Sequence, residues 1–245
     1  MKQGVFITVV MVLALVASYF IFEYGMPDYI KDGGPLVIGL IAMTIMVVTF
    51  IFERIFSLRK AQGRGSIAVF LKNVTQEINK SNIEGAIAAC DKQRGSCANI
   101  LRTGLDRYKQ LVHEGDVKGQ KEMMAEVQRA IEEAMLLEVP LLEKNLVALS
   151  TIASVATMWG LLGTVIGMIR AFRAMAKGSP DPLQLALGIS EALINTAGGL
   201  IAAICGILAY NFFTTKVDNF TYMIDEASYS IIQSLAEKVP AGKSK

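Results

Sequence analysis

Glu191 is the only carboxylate inside a long apolar run of this chain, eight residues after the run begins at Leu183. A charge at bilayer depth costs at least about 2.5 kcal/mol, so such residues usually face a partner or a water path. Asn195 lies one helical turn further on and can share the same face, and Thr196 follows it. We therefore predict that Glu191 lies on an ion path. The alternative is a carboxylate that is merely solvated at the membrane rim.

A preceding apolar run carries hydroxyl side chains at offsets of four, three and seven residues. They are Ser150, Ser154, Thr157 and Thr164. These offsets place all of them on one face of a helix. Such a face indicates a surface turned away from lipid, although Ser and Thr can also donate to their own helix carbonyls. We take Ser150, Ser154 and Thr157, together with Asn195, as candidate pore-lining residues.

Both runs also carry closely spaced glycines: Gly160, Gly163 and Gly167 in the first, Gly198 and Gly199 in the second. Small residues let helix backbones approach closely in a membrane, where lipid offers no hydrophobic drive for helix association. We predict that these glycines pack helices against one another.

The sequence lacks the residues that a metal site, an ATP-binding loop or a nucleic-acid-binding surface would need. His113 is the only histidine, and Cys90, Cys97 and Cys205 have no CxxC spacing, so no metal site is expected and the cysteines are predicted to be free thiols. There is no GxxxxGK[ST] loop for ATP, and the net charge of +2 does not indicate nucleic acid. We expect no enzyme activity and no cofactor. The available energy is the membrane potential, about 2.3 kcal/mol per charge per 100 mV.

Four apolar stretches position these residues. Each stretch has, or nearly has, the roughly 20 residues needed to cross a bilayer. No strand-type alternation occurs, so the predicted fold is an all-α polytopic membrane helix bundle whose long helices extend into a helical cytoplasmic domain. The predicted segments are a first span (1–24), a second span (35–56), the cytoplasmic domain (57–145), a third span (146–176), a fourth span extending into the cytoplasm (183–215) and a C-terminal helix and tail (216–245).

Basic residues near the span ends predict the orientation. Arg54, Arg59, Lys60 and Arg64 follow the second span, and Lys216, Lys238, Lys243 and Lys245 lie in the tail. We therefore predict a multi-pass protein of the bacterial inner membrane with both termini in the cytoplasm. The first span is expected to be retained and not cleaved as a signal peptide, because its apolar run is long and no A-x-A site ends it.

Local signals predict the ends of several helices. Ser81-Asn82-Ile83-Glu84 has the spacing of a capping box and predicts a helix start. His113-Glu114-Gly115-Asp116 and Lys177–Pro182 predict turns. A helix beginning at Gln120 is expected to run into the third span with a kink at Pro140.

The last two spans carry specific blocks, Trp159-Gly-Leu-Leu-Gly-Thr-Val-Ile-Gly167 and Ser190-Glu-Ala-Leu-Ile-Asn-Thr-Ala-Gly-Gly199. In combination, Thr151–Phe172 and Gly188–Asn211 resemble the paired signature of the ExbB/TolQ/MotA family, most closely its ExbB and TolQ branch. Weaker similarity extends back through Phe52-Glu53-Arg54, so the resemblance covers most of the chain after Pro35.

This resemblance implies a homopentameric ring around two copies of a single-span partner of the ExbD, TolR or MotB type. It implies that H⁺, or alternatively Na⁺, flows at the ring–partner boundary, with the ion-carrying aspartate on the partner's helix. Thr164 and Thr196 would face the partner and line the ion path, and Glu191 would lie at the pore-side mouth of the fourth span. The expected function is an ExbB-like motor subunit that energises TonB-dependent envelope transport through a TonB- or TolA-like protein.

The chain departs from the family pattern in three places. Met158 and Ile204-Cys205-Gly206 stand where the family often has prolines, so helix bending is expected to differ. The first span is additional to the three-span ExbB pattern. The alternatives are a TolQ- or MotA-like stator for envelope integrity or motility, and a self-contained ion channel or transporter, which would need a complete ion path within this chain.

Overall fold

A computed structural model describes residues 2–114, 119–176 and 181–238, and their regular structure is helical throughout. The helices are α1 (Lys2–Phe20, continued by a π-helical turn at Ile21–Gly25), α2 (Asp28–Lys31), α3 (Leu36–Gln62), α4 (Ile67–Asn79), α5 (Ile83–Gln93), α6 (Ser96–Glu114), α7 (Gln120–Glu143), α8 (Leu146–Met175) and α9 (Pro182–Lys238). The prediction of an all-α fold is confirmed.

Within the described residues, four helical segments are long and apolar enough to cross a membrane. They are Ile7–Gly25, Leu36–Asn79, Gln120–Met175 and Pro182–Glu237. The first segment covers most of α1 and its π-helical turn. The second spans α3 and α4, and the third spans α7, the break after it and α8. The predicted spans lie on α1, α3, α8 and α9.

The chain divides into two compact units. The membrane unit comprises Met1–Arg54 and Asn145–Phe213, and the polar unit comprises Ile55–Lys144 and Thr214–Lys245. The 57-residue helix α9 contributes its first part to the membrane unit and the remainder to the polar unit.

Helices α3, α8 and α9 supply most of the core of the membrane unit. Phe50 and Leu149 are completely buried there, and the Trp159 indole Nε1 donates a hydrogen bond to the Leu36 carbonyl at 3.0 Å. Large apolar side chains such as Leu161 and Phe172 point outward instead, with 64% and 58% of their surface exposed. An apolar outer surface is the expected one for helices whose solvent is lipid.

The polar unit is a bundle in which each helix buries one apolar stripe. Along α4 the stripe is Phe70, Val74 and Ile78, at the four-residue spacing of a helix face. Helices α6, α7 and the last part of α9 contribute further buried residues, among them Ile100, Leu105, Val127, Ile131, Ile224 and Leu235. The exposed faces carry charged residues, as is typical of water-facing helices.

The α5 helix begins at Ile83, close to the predicted start, but its cap differs from the expected one. Asn82, and not Ser81, is the N-cap, and its side-chain oxygen accepts from the Gly85 backbone N–H at 3.0 Å. Ser81 has φ +57°, a conformation incompatible with the capping role that the sequence pattern assigned to it.

Two predicted connections also differ from the observed ones. Helix α6 continues through His113 and Glu114, so these residues are helical, and Gly115 and Asp116 lie outside the described residues. The prediction that the Gln120 helix runs into the third span is wrong: α7 ends at Glu143, and α8 begins after Asn145, which has φ +66°. Asn adopts this left-handed conformation more readily than most residues, which explains the break. Most of the predicted Lys177–Pro182 turn lies outside the described residues.

Candidate functional site

The backbones of α8 and α9 touch along a row of small residues. The row consists of Gly160, Gly163 and Gly167 on α8 and of Gly188, Ala192, Asn195 and Gly199 on α9. A methyl group on Gly160 would lie 3.0 Å from the Asn195 carbonyl oxygen, and one on Gly167 would lie 2.6 Å from the Gly188 carbonyl oxygen. At Gly163 the methyl group would overlap the Asn195 side chain. The glycines thus fix α8 against α9 within one subunit.

Helix α3 packs against the same pair through two further close contacts. Gly198 of α9 faces Leu40, whose Cδ1 would be 3.1 Å from an added methyl group. Gly39 of α3 lies against the Trp159 ring, and a methyl group added at Gly39 would be 2.8 Å from the nearest ring carbon. The candidate site is therefore held by three tightly packed helices.

Glu191 forms an ion pair with Arg170, a partner that the sequence pattern does not indicate. Arg170 Nη1 lies 2.7 Å from Glu191 Oε1 and 2.6 Å from Oε2. The Glu191 side chain is 6% exposed and that of Arg170 is 55% exposed. The pair joins α8 to α9 and offsets the desolvation of a buried carboxylate. Glu191 is thus neither solvated alone nor an unpartnered acid.

Asn195 connects Glu191 to the turn that precedes α3. Its Nδ2 donates to the Gly33 carbonyl at 2.7 Å and to the Glu191 carbonyl at 2.8 Å. Its side chain is completely buried, inside the subunit and not on the surface where a pore-lining residue was predicted. Gly34 has φ +72°, and a methyl group there would lie 2.7 Å from Glu191 Oε1. The Gly33–Gly34 turn therefore rests directly on the ion pair.

The predicted hydroxyl face of α8 lies at the surface of the membrane unit. Ser154 and Thr157 are exposed, and Ser150 and Thr164 are half-buried. Each hydroxyl donates to a carbonyl of its own helix, with distances from 2.6 Å for Thr164 to 3.3 Å for Thr157. The oxygen lone pairs remain able to accept hydrogen bonds from outside.

Thr196 lies on α9 at the edge of the α8 contact. It is half-buried, and its Oγ1 is 3.5 Å from the Gly160 carbonyl oxygen, the outer limit of a hydrogen bond. Thr164 and Thr196 are thus both partly accessible on the helices that the glycines lock together.

Cys90 and Cys97 are buried in the polar unit, whereas Cys205 is exposed in the membrane unit. Burial raises the pKa of the Cys90 and Cys97 thiols to about 12, so almost none of either residue is thiolate at neutral pH. No group of three or more His, Cys, Asp or Glu residues within the described ranges could hold a metal ion.

Comparisons with known proteins indicate the family to which this chain is similar. The MotA/TolQ/ExbB proton channel family matches residues 92–226, more than half of the chain. A putative biopolymer transport protein ExbB-like 3 from Synechocystis sp. is 33% identical over 184 residues, which are 74% of this chain and 81% of the relative.

Two proteins of the Tol-Pal system are also similar. TolQ of Haemophilus influenzae is 39% identical over 117 residues, 46% of this chain and 51% of that protein. TolQ of Pseudomonas aeruginosa is 30% identical over 182 residues, 74% of this chain and 78% of that protein. These matches show that the chain belongs to the MotA/TolQ/ExbB proton channel family.

Proposed function

We propose that this chain is the multi-span subunit of an ion-driven motor of the inner membrane. In this proposal five copies form a ring around two copies of an ExbD-like single-span partner, H⁺ passes at the ring–partner interface, and the work drives TonB-dependent transport across the envelope. Both termini lie in the cytoplasm, as the distribution of basic residues favours.

The observation that carries the proposal is the arrangement of α8. Glycines fix one side of this helix on α9, while Ser154 and Thr157 are exposed on it and Thr164 is partly accessible. Polar groups are costly against lipid, so a hydroxyl-lined face at the surface of a membrane unit suits contact with water or with another polar helix. We assign this face to the central partner and its ion path.

Glu191 and Arg170 have a supporting role in this proposal. Arg170 contacts both carboxylate oxygens, so Glu191 is committed to an ion pair and does not act alone as a proton carrier. We infer that the carrier is an acid of the partner, and that Thr164 and Thr196 line its path. The ion pair holds α8, α9 and the Gly33–Gly34 turn in position beside that path.

The test is H⁺ flux into proteoliposomes that contain this chain and its co-expressed single-span neighbour, followed with an internal pH-sensitive dye. We expect Thr164→Val and Thr196→Val each to lower the flux at least about tenfold, the cost of removing a hydrogen-bonding group from a polar path. Thr8→Val is the matched control, because Thr8 is an exposed threonine of α1 that donates to the Val5 carbonyl.

The control variant is expected to retain the flux of the parent chain. Full flux in both Thr164→Val and Thr196→Val would contradict the assigned path. Full flux without the single-span neighbour would contradict the motor proposal and support a self-contained channel.

A TolQ-like load is the second candidate, because two of the similar proteins carry that name at 39% and 30% identity. Complementation of bacteria that lack either system discriminates the two. Restored uptake of TonB-dependent substrates supports the first candidate, and restored detergent resistance of the envelope supports the second.

A further inference from the structure

The polar unit contains a cavity of about 910 Å³ that the proposed motor function does not use. Its walls are formed by residues at the end of α3, at the connection between α5 and α6, and near the end of α7. The volume is large enough for a small organic molecule, since ligand pockets typically measure about 300–1,000 Å³.

Two connecting loops cross at the wall of this cavity. The Arg64 backbone N–H donates to the Gln93 carbonyl at 2.7 Å, and the Gln93 side chain donates to the Gln62 carbonyl at 3.2 Å. Gly95 lies so close to the end of α3 that an added methyl group would be 2.6 Å from the Ala61 carbonyl oxygen. Arg94 has φ +50°, an uncommon conformation for a residue with a side chain. The crossing places Arg64 and Arg94 at the same cavity.

The charge lining the cavity is positive. Its cations are Lys60, Arg64, Arg94 and Arg102, and its acids are Asp91 and Glu138. Asp91 is paired with Arg102, and Glu138 accepts a hydrogen bond from Asn99. Lys60, Arg64 and Arg94 form no ion pair with any residue that the structure describes. Three cations are thus left to bind an anion from outside.

The start of α6 adds to this positive field. Gly95, Ser96 and Asn99 line the cavity, and α6 is a 19-residue helix that begins at Ser96. The first N–H groups of a helix lack intrahelical partners and favour anions. Guanidinium groups and a helix N-terminus together match the oxygen atoms of a phosphate group, which Arg binds in a bidentate manner.

We propose that this cavity binds a phosphate-bearing small molecule, with Arg64, Arg94 and Lys60 contacting the phosphate. The same chemistry is found in a soluble nucleotide and in the headgroup of an anionic phospholipid. The experiment therefore uses one probe of each kind.

Binding to the detergent-purified full-length chain is measured by calorimetric titration with ATP and, separately, with dihexanoyl-phosphatidylglycerol below its micelle concentration. We expect saturable binding of at least one probe with a Kd below about 1 mM. Arg64→Gln with Arg94→Gln is expected to weaken that binding at least about tenfold, because charge-assisted hydrogen bonds are lost.

Arg59→Gln is the matched control, since Arg59 is an exposed arginine of the same α3 segment that does not line the cavity. The control should bind like the parent chain, and all variants should show the same thermal unfolding midpoint. Binding of ATP alone identifies a soluble phosphate ligand, and binding of the lipid alone identifies a headgroup. The proposal is overturned if neither probe binds, or if Arg59→Gln weakens binding as much as the double variant does.

Discussion

Arg170 and Glu191 carry opposite charges in unequal surroundings, with 55% and 6% of their side chains exposed. Removing one partner of a buried pair leaves the other charge without compensation, which is more costly than removing both. Because the two side chains differ in exposure, the two single substitutions should differ in the free energy of unfolding that they cost. Loss of Arg170 leaves a buried carboxylate without a charge partner, whereas loss of Glu191 leaves an arginine that can reach water or lipid headgroups.

We therefore predict that Arg170→Gln lowers the free energy of unfolding by about 2–3 kcal/mol and Glu191→Gln by about 1 kcal/mol. The double variant should be more stable than Arg170→Gln alone. Thermal unfolding of the detergent-purified chain measures this order. Arg173→Gln, an exposed arginine one turn away, is the control and should leave the unfolding midpoint unchanged. Equal effects of the two single substitutions, with no recovery in the double variant, would show that the pair does not stabilise the unit.

The two buried thiols of the polar unit are predicted to react slowly. Burial raises the pKa of Cys90 and Cys97 from 9.0 to about 12, so their thiolate fraction at pH 8 falls about a thousandfold. Iodoacetamide labelling at pH 8, followed by peptide mass spectrometry, should modify them in urea but not in the folded chain. Rapid labelling of either residue in the folded chain would contradict its burial.

The same pKa shifts predict the direction of the pH dependence of stability. Between pH 9 and about 12 these thiols ionise in the unfolded chain but remain neutral in the folded one. The unfolded chain therefore binds fewer protons in this range, and the free energy of unfolding should fall as the pH rises. Below about pH 7 both thiols are neutral in both states, so these two residues should contribute no pH dependence.

Glu191 was identifiable from sequence because a carboxylate in an apolar run is rare. Its partner was not, because Arg170 is 21 residues away on another helix. The burial of Asn195 was equally hidden, since it depends on the Gly33–Gly34 turn, which lies 162 residues away along the chain. Long-range packing, and not local pattern, determines these positions.

At the scale of elements, the contact between α8 and α9 depends on the absence of side chains at its glycines. Gly163→Ala is predicted to lower the free energy of unfolding by about 1–3 kcal/mol, because the added methyl group overlaps Asn195 and the core must shift. Gly4→Ala is the matched control: Gly4 is helical and has no atom near an added methyl group.

Alanine favours the helix over glycine by about 1 kcal/mol at both positions, so the control should be neutral or slightly stabilising. Thermal unfolding of both variants provides the comparison. A Gly163→Ala chain as stable as Gly4→Ala would mean that α8 and α9 do not approach as closely as described.

The helices themselves could be predicted because their lengths follow from apolar runs of bilayer length and from helical periodicity. Their ends depend on single residues in unusual conformations. Asn145 at φ +66° separates α7 from α8. Ser81 has φ +57°, and Asn82 is the residue that caps α5. No pattern of hydrophobicity encodes such conformations, which explains why the break at Asn145 and the identity of the α5 cap were not predicted.

At the scale of the whole molecule, apolar side chains cover much of the outside of the membrane unit, among them Leu161, Val165 and Leu193. Lipid is a suitable solvent for such a surface. The hydroxyls of Ser154 and Thr157 donate to carbonyls of α8, and their oxygen atoms can still accept hydrogen bonds from a polar neighbour or water, which lipid does not supply. Within the part of the chain that the structure describes, one subunit alone offers the hydroxyl face of α8 but no polar helix to cover it. We therefore expect the working form to be an assembly that contains a second kind of chain.

Native mass spectrometry of the detergent-purified chain, expressed with and without its single-span genomic neighbour, tests this claim most directly. Five copies of the 26.6 kDa chain give about 133 kDa, and we predict this mass plus two partner masses after co-expression. A monomer or dimer whose mass is the same with and without the neighbour would contradict the motor assignment.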